Sequence, residues 1–264
     1  MSNQMFGTAL PTYVDPHSHH QFSNFTTLKM LVEASYQAAA CLSYVPVRPS
    51  SASTLRDLFM WLVEAEVERL RRAGLRPIIG VGVHPRNIPK TGRSDALAYV
   101  EEFLPEANVL GEVGIETGSE VEKEFFAKQL EIADRLDKPV VVHTPRVNKA
   151  PALKLALRLL AESRLPPERV LIDHLTPDLV GQVPRGHYVG LTVQPGKLSE
   201  DQVAETLKAD EDRFLWMVVN SDCGREESDP LAVMKTAHHL ASLGVDVDVV
   251  AALVRDNARR FLSL

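Results

Sequence analysis

Pro139-Val140-Val141-Val142-His143 is a short run of β-branched residues that breaks off on an imidazole. A half-exposed strand alternates apolar with polar residues, so an unbroken run of this kind reads as a strand covered on both faces, as in a parallel sheet. The same form recurs along the chain. Strand-type runs lie at residues 13–15, 40–45, 77–83, 108–112, 139–142, 170–172, 188–193 and 214–219. Between them, segments such as 53–72, 121–136 and 152–161 carry apolar residues at intervals of three and four. In Glu122-Lys123-Glu124-Phe125-Phe126-Ala127-Lys128-Gln129-Leu130, for example, the Phe and Leu positions form one helical stripe and the charges the other. Eight strands alternating with helices predict an α/β protein of the (β/α)8, or TIM-barrel, type. A doubly wound open sheet is the competing architecture. It is disfavoured because polar residues stand at the carboxyl ends of nearly all the strands, and only a closed barrel brings those ends to one point.

At 264 residues and 45% hydrophobic content, the chain can bury a full core, and no linker or low-complexity stretch divides it, so residues 1–264 are read as one domain. The net charge of −6 argues against a surface given over wholly to nucleic acid and leaves room for a local cationic patch. Cys41 and Cys223 lie far apart and form no C-x-x-C, which implies neither a disulfide framework nor a thiolate zinc site. Residues 1–10 hold no basic region followed by an apolar stretch, and no window reaches 18 uncharged apolar residues. The expectation is a soluble cytoplasmic protein with no membrane span, its oligomeric state left open.

The strand ends supply the chemistry. In Val14-Asp15-Pro16-His17-Ser18-His19, two histidines one residue apart point to one face if the strand persists, so both can offer nitrogen to one ion. Strand 4 ends in Glu112, strand 5 in His143, strand 6 in Asp173-His174, and strand 8 in Asp222. Four histidines and two carboxylates form the candidate metal set: His17, His19, Glu112, His143, His174 and Asp222. They suit two divalent ions, Zn²⁺ ahead of Mn²⁺, Co²⁺ or Mg²⁺. Glu112 is the expected bridge, since one carboxylate can hold two ions about 3.5–4 Å apart. His84, in Gly80-Val81-Gly82-Val83-His84-Pro85, is read as aimed at the substrate, with a structural hydrogen bond as the equal alternative. His20 has the wrong parity for the site. His187, His238 and His239 fall at a strand start or in a helix and are read as surface or packing residues, and Cys223 as a packed thiol.

The blocks Asp15-Pro16-His17-Ser18-His19, Gly82-Val83-His84-Pro85, Gly111-Glu112-Val113-Gly114-Ile115-Glu116, Pro139 to Thr144, Asp173-His174, Ser221-Asp222 and Asn257-Ala258-Arg259-Arg260-Phe261 together resemble the TatD family of metal-dependent hydrolases. They span nearly the whole chain. The resemblance implies a TIM-type barrel, a two-metal centre held by the six residues named above, His84 near the substrate, and phosphodiester hydrolysis, with DNA the substrate usually associated with the family. There are departures from its pattern. Glu116 stands where the family has an aspartate, Pro145 displaces Arg146 by one residue, and Cys223-Gly224 replaces Ser-Pro. The runs His143-Thr144-Pro145 and Ser228 to Val233 look closer to a related branch without an assigned substrate.

Glu112 and Asp222 are the candidate catalytic residues. A water shared by two ions becomes hydroxide near neutral pH and serves as the nucleophile, and Asp222 is placed to take its proton. Arg48, Arg86, Lys90, Arg93, Arg146, Lys149 and Lys197 follow strands 2, 3, 5 and 7 and so should face the metals. They favour a phosphate ester or a nucleic-acid end as substrate, with Arg146 and Lys149 as the expected binding pair beside His84. The segment Arg225-Glu226-Glu227-Ser228-Asp229 pushes the other way. Two alternatives remain open: an amidohydrolase-type enzyme acting on a lactone or amide, and a metal-binding scaffold without catalysis.

Overall fold

A computed structural model describes residues 10–264. The expectation drawn from residues 1–10 lies, Leu10 apart, outside the described residues. Eight strands, β1 (Tyr13–Asp15), β2 (Tyr36–Leu42), β3 (Arg76–Val81), β4 (Val109–Gly114), β5 (Val140–His143), β6 (Val170–Ile172), β7 (Tyr188–Thr192) and β8 (Met217–Asn220), form one sheet in chain order. Every adjacent pair is parallel. The seam between β8 and β1 is bonded just beyond the strands, where the Asp222 amide donates to the His17 carbonyl (2.9 Å) and the His19 amide to the Cys223 carbonyl (2.6 Å). The expected barrel is therefore present, nearly closed, with its carboxyl ends drawn to one rim.

Two apolar layers follow from the period of two along each strand. Val14, Ala38, Ala40, Leu42, Ile78, Val109, Val141, Leu171, Tyr188 and Val218 fill the barrel interior, and Ala258, Phe261 and Leu262 of the last helix plug its amino end. The alternate residues, such as Ile79, Leu110, Val142, Ile172 and Val219, pack outward against the helices. The helix Glu120–Arg135 shows how the outer ring is built. Ser119 caps it by accepting the Glu122 amide, Phe125, Phe126, Leu130 and Ala133 are buried, and Glu124 pairs with Lys128 on the solvent face at 2.6 Å.

Some boundaries differ from the sequence reading. The second strand begins at Tyr36 and ends at Leu42, not at 40–45, because Ser43 turns out of the ladder to bond the Gly80, Gly82 and Gly111 carbonyls. Glu211–Trp216 coils into a 3-10 turn, which shortens the eighth strand at its start. Among the described residues no helix is long and apolar enough to cross a membrane.

Candidate metal centre

The interior register delivers part of the site directly. Two residues beyond inward-facing Val141, Gly190, Leu171 and Val218 stand His143, Thr192, Asp173 and Asn220, so the polar set begins where the apolar filling stops. His174 and Asp222 arrive differently. Both adopt left-handed backbone (φ 59° and 45°), His174 directly after inward Asp173 and Asp222 two residues after inward Asn220, which turns each side chain over the rim. His17 and His19 also lie past the end of β1 and converge through the seam bonds and an isolated bridge between His19 and Cys41, not through strand parity.

Glu112 sits at the middle with its two oxygens facing different histidine pairs. Oε2 lies 3.4 Å from Nε2 of both His17 and His19, while Oε1 lies 2.9 Å from His143 Nδ1 and 3.1 Å from His174 Nε2. Asp222 Oδ1 approaches His19 Nε2 at 3.3 Å and His17 Nε2 at 3.6 Å. Ligand-type atoms of His17, His19 and Glu112 lie within 4.8 Å of one another, as do those of His17, His174 and Asp222.

The partners on the far side of each ring determine which nitrogen is free. His17 Nδ1 bonds the Asp173 carboxylate, His19 Nδ1 the Leu42 carbonyl (2.9 Å) and His174 Nδ1 the Thr192 hydroxyl (2.7 Å), which itself donates to Asp173 Oδ1 (3.1 Å). The Nδ1 atoms of His17 and His19 are then donors and their Nε2 lone pairs point to the centre, whereas His174 Nδ1 also faces the Lys197 ammonium, a donor, at 3.0 Å. His143 is reversed. Its Nε2 meets Glu116 Oε2 at 2.8 Å, leaving the Nδ1 lone pair beside Glu112. Lone pairs aimed at carboxylate oxygens repel unless a cation lies between them. His17 Nε2, buried and without a hydrogen-bond partner, is the plainest case, and the donor set fits a divalent metal.

His84 departs from this pattern. Its Nδ1 accepts the Arg86 amide at 3.1 Å, so the neutral ring carries its proton on Nε2, 3.9 Å from Glu112 Oε2. It presents a donor where His17, His19 and His143 present lone pairs, although it is close enough to Glu112 and His143 to be grouped with them. Burial and the neighbouring His143 hold it well below its ordinary value, in that neutral form.

The electrostatics agree. Burial works to raise Glu112, yet His17 and His143 hold it well below the usual carboxylate range. Asp222 is likewise held down against burial by Lys197 and His19. Burial opposes charge on His19, but Asp222 and Glu112 lift it to about 9, and Glu112 and Asp173 raise His17 in the same way. The half around His17, His19 and Asp222 stabilises positive charge, the property a cation site needs, while burial and Lys197 hold His174 down to about 4.

A cavity of about 450 Å³ opens above it, lined by His19, His84, Glu112, His143, His174 and Asp222 with Arg86, Arg146, Lys197 and Arg225 on its walls and Glu226 and Glu227 at the loop after β8. Of the seven expected cations, Arg86, Arg146 and Lys197 reach this wall. Lys149 does not. Its ammonium is committed to the His174 carbonyl and the Thr144 hydroxyl (3.2 Å), and Lys197, ion-paired with Asp222, occupies the position expected of it. Arg146 is steadied by Gln194 Oε1 at 3.0 Å. His20 is turned away, bonded to Ser23 and held neutral, at about 3, by burial and Arg69.

Sequence reasoning gives Asp173, Thr192 and Glu116 no role in the site, while Lys197, expected among the cations facing the metals, stands there. Asp173 was detectable from parity with the apolar Leu171. It accepts from Asn220 Nδ2 (3.0 Å), Thr192 and the His174 amide (2.6 Å) while holding His17, so it orients two ligands at once. Glu116 was visible only as a longer carboxylate, and its contact with His143 depends on the loop after β4.

Residues 14–263 match the TatD related DNase family. An uncharacterized metal-dependent hydrolase of Methanocaldococcus jannaschii is 32% identical over 254 residues, covering 95% of this chain and all of that protein. The crystal structure of a TatD-like protein from Archaeoglobus fulgidus superposes with a TM-score of 0.78 at 29% identity, covering 96% of this chain and all of that one. A phosphotriesterase homology protein of Escherichia coli, at 14% identity and a TM-score of 0.72 over 97% of this chain and all of that one, shares the fold. The chain belongs to the TatD related DNase family and is a metal-dependent hydrolase.

Proposed function

We propose that this member of the TatD related DNase family cleaves phosphoester bonds, a phosphodiester in a small molecule or at a nucleic-acid end, with two divalent ions, Zn²⁺ ahead of Mn²⁺, Co²⁺ or Mg²⁺. The observation that carries the reading is the inward lone-pair pattern of His17, His19 and His143 around a two-faced Glu112, under a wall of Arg86, Arg146 and Lys197. His17, His19, Glu112 and Asp222 form one half of the donor set, and His143, His174 and Glu112 the other. When bound there, divalent ions supply Lewis acidity toward a phosphoryl oxygen and lower the pKa of water.

The chain's own groups do the remainder. Asp222 Oδ1 faces the centre while Lys197 occupies Oδ2, which leaves Oδ1 as the oxygen that accepts a proton from the attacking water. His84 donates from Nε2 to a substrate oxygen, and Arg146, its planar fork held by Gln194, pairs with a second. Asp173 keeps the His17 ring in the required tautomer, and Thr192 and Lys197 hold the His174 ring in place.

The test is a panel of bis(p-nitrophenyl) phosphate, a γ-lactone and a dipeptide amide, assayed with and without chelator. Chelator-sensitive turnover of the diester, suppressed by salt and weakened in KM by Arg146→Ala, is the expected result. Turnover confined to the neutral lactone or amide and insensitive to salt would overturn it, and no metal-dependent turnover of any substrate would leave a binding scaffold.

A further inference from the structure

Beside the main cavity lies a second hollow of about 350 Å³, lined by Arg48, Arg86 and Arg93 together with Glu116, Thr117 and Glu122. Arg86 lines both spaces and is the shared wall. The three arginines come from separate segments that follow β2 and β3: Arg48 from the loop after β2, Arg86 from the Pro85–Asn87 turn, and Arg93 from the start of the helix Arg93–Phe103. All of them are therefore delivered to the catalytic rim.

The charges in this hollow do not cancel. Glu116 is paired with Arg86 at 2.7 Å and with His143. The Glu122 carboxylate is satisfied by the amides of Glu116, Thr117 and Gly118, at 3.0, 2.8 and 2.9 Å, and by the Thr117 hydroxyl. Arg48 uses its Nε on the Ile88 carbonyl (3.1 Å), which leaves the terminal fork directed elsewhere. Among the described residues neither Arg48 nor Arg93 has a carboxylate partner in an ion pair. Two guanidinium groups without a carboxylate partner, on a hollow that opens beside the metal centre, favour an anion that accepts two parallel hydrogen bonds, as a pair of phosphate oxygens does.

We propose that this hollow is a subsite for a further phosphate on the same substrate, so that the enzyme selects a phosphodiester carrying a second phosphate next to the one it cleaves. The inference rests on the phosphoester reading above and names the substrate class of that site. Arg48 and Arg93 grip the second group, and Arg86, tied to Glu116, holds the boundary between the two.

Calorimetric titration of the metal-loaded enzyme with phosphorothioate-linked thymidine dinucleotides tests this without requiring cleavage. The probes are the bare dinucleotide and its 5′-phosphorylated and 3′-phosphorylated forms. At least one phosphorylated form should bind about tenfold more tightly than the bare one, and the Arg48→Ala/Arg93→Ala variant should lose that advantage while hydrolysing bis(p-nitrophenyl) phosphate normally. Equal binding of all three probes by the native enzyme, or an advantage that survives in the variant, would overturn the subsite. Loss of bis(p-nitrophenyl) phosphate hydrolysis in the native enzyme would strike instead at the phosphoester reading, so the two failures are distinct.

Discussion

Asp222 and Gly190 show how much of the chemistry depends on single positions, one within the centre and one behind it. Asp222 offers Oδ1 to the His17 and His19 side and Oδ2 to Lys197. Asp222→Asn keeps the shape but removes the charge and the proton-accepting capacity, so turnover should fall by about 10²–10⁴-fold with the fold and at least one ion retained. Near-normal kcat in that variant would remove Asp222 from proton transfer. Gly190 touches no ligand, yet a Cβ there would stand 1.9 Å from Asp173 Oδ1 and 3.0 Å from its Cα, with no space for the carboxylate to remain. Gly190→Ala should displace Asp173 from His17 and His174, lowering metal affinity by about 10–100-fold, as loss of such orienting partners does. Competition with a chromophoric chelator measures it, and an unchanged affinity would mean that Asp173 does not orient the ligands.

At the level of elements, the strands were legible wherever apolar runs ended cleanly: 13–15 and 170–172 agree residue for residue, while β2 was placed late because Ala38-Ala39-Ala40 is a weak apolar signal. Ligands on strands, such as His143, follow from parity. Those that depend on left-handed turns, His174 and Asp222, were found by residue type and position after a strand, and nothing in the local pattern announced the turn. The binding role expected of Lys149 fails for a related reason, while Lys197 faces the cavity as the sequence predicts. Lys149 and Lys197 both follow strands, and only the packing of the loops decides that one ammonium braces the His174 carbonyl while the other faces the cavity. Helix ends were the more local problem. Ser199 and Gln202 form a reciprocal capping box on the helix Glu200–Ala209, which begins just after the loop that carries Lys197. Ser199→Ala should cost about 1 kcal/mol, read as a shift of the urea midpoint with unchanged slope. A shift indistinguishable from zero would show that the cap is dispensable.

Across the whole molecule, barrel closure and metal binding are one problem, because the bonds that close the seam from β8 to β1 are made by the backbone of His17, His19, Asp222 and Cys223. Ions that engage His17, His19 and Asp222 therefore tie together the least extensively paired junction of the sheet, and removing them should loosen it. Chelation should lower the thermal midpoint, and restoring metal to about a hundred times its Kd should return about 2.7 kcal/mol. Protons give a second measure. His17 and His19 are raised above their ordinary range, His19 to about 9, so without metal His19 carries a proton at pH 7. A metal must take the lone pair that proton occupies, so loading at pH 7 should release at least one proton, and apparent affinity should rise as the pH climbs toward 9 and weaken as it falls. Titration of metal into chelator-treated enzyme in buffers of different ionisation enthalpy counts them. The same titration tests the number of ions. His17 and His19 on one oxygen of Glu112 and His143 and His174 on the other divide the donors into two halves, so binding should saturate at two ions per chain. Saturation at one ion, with no proton release, would mean that these halves act as a single cage around a protonated core.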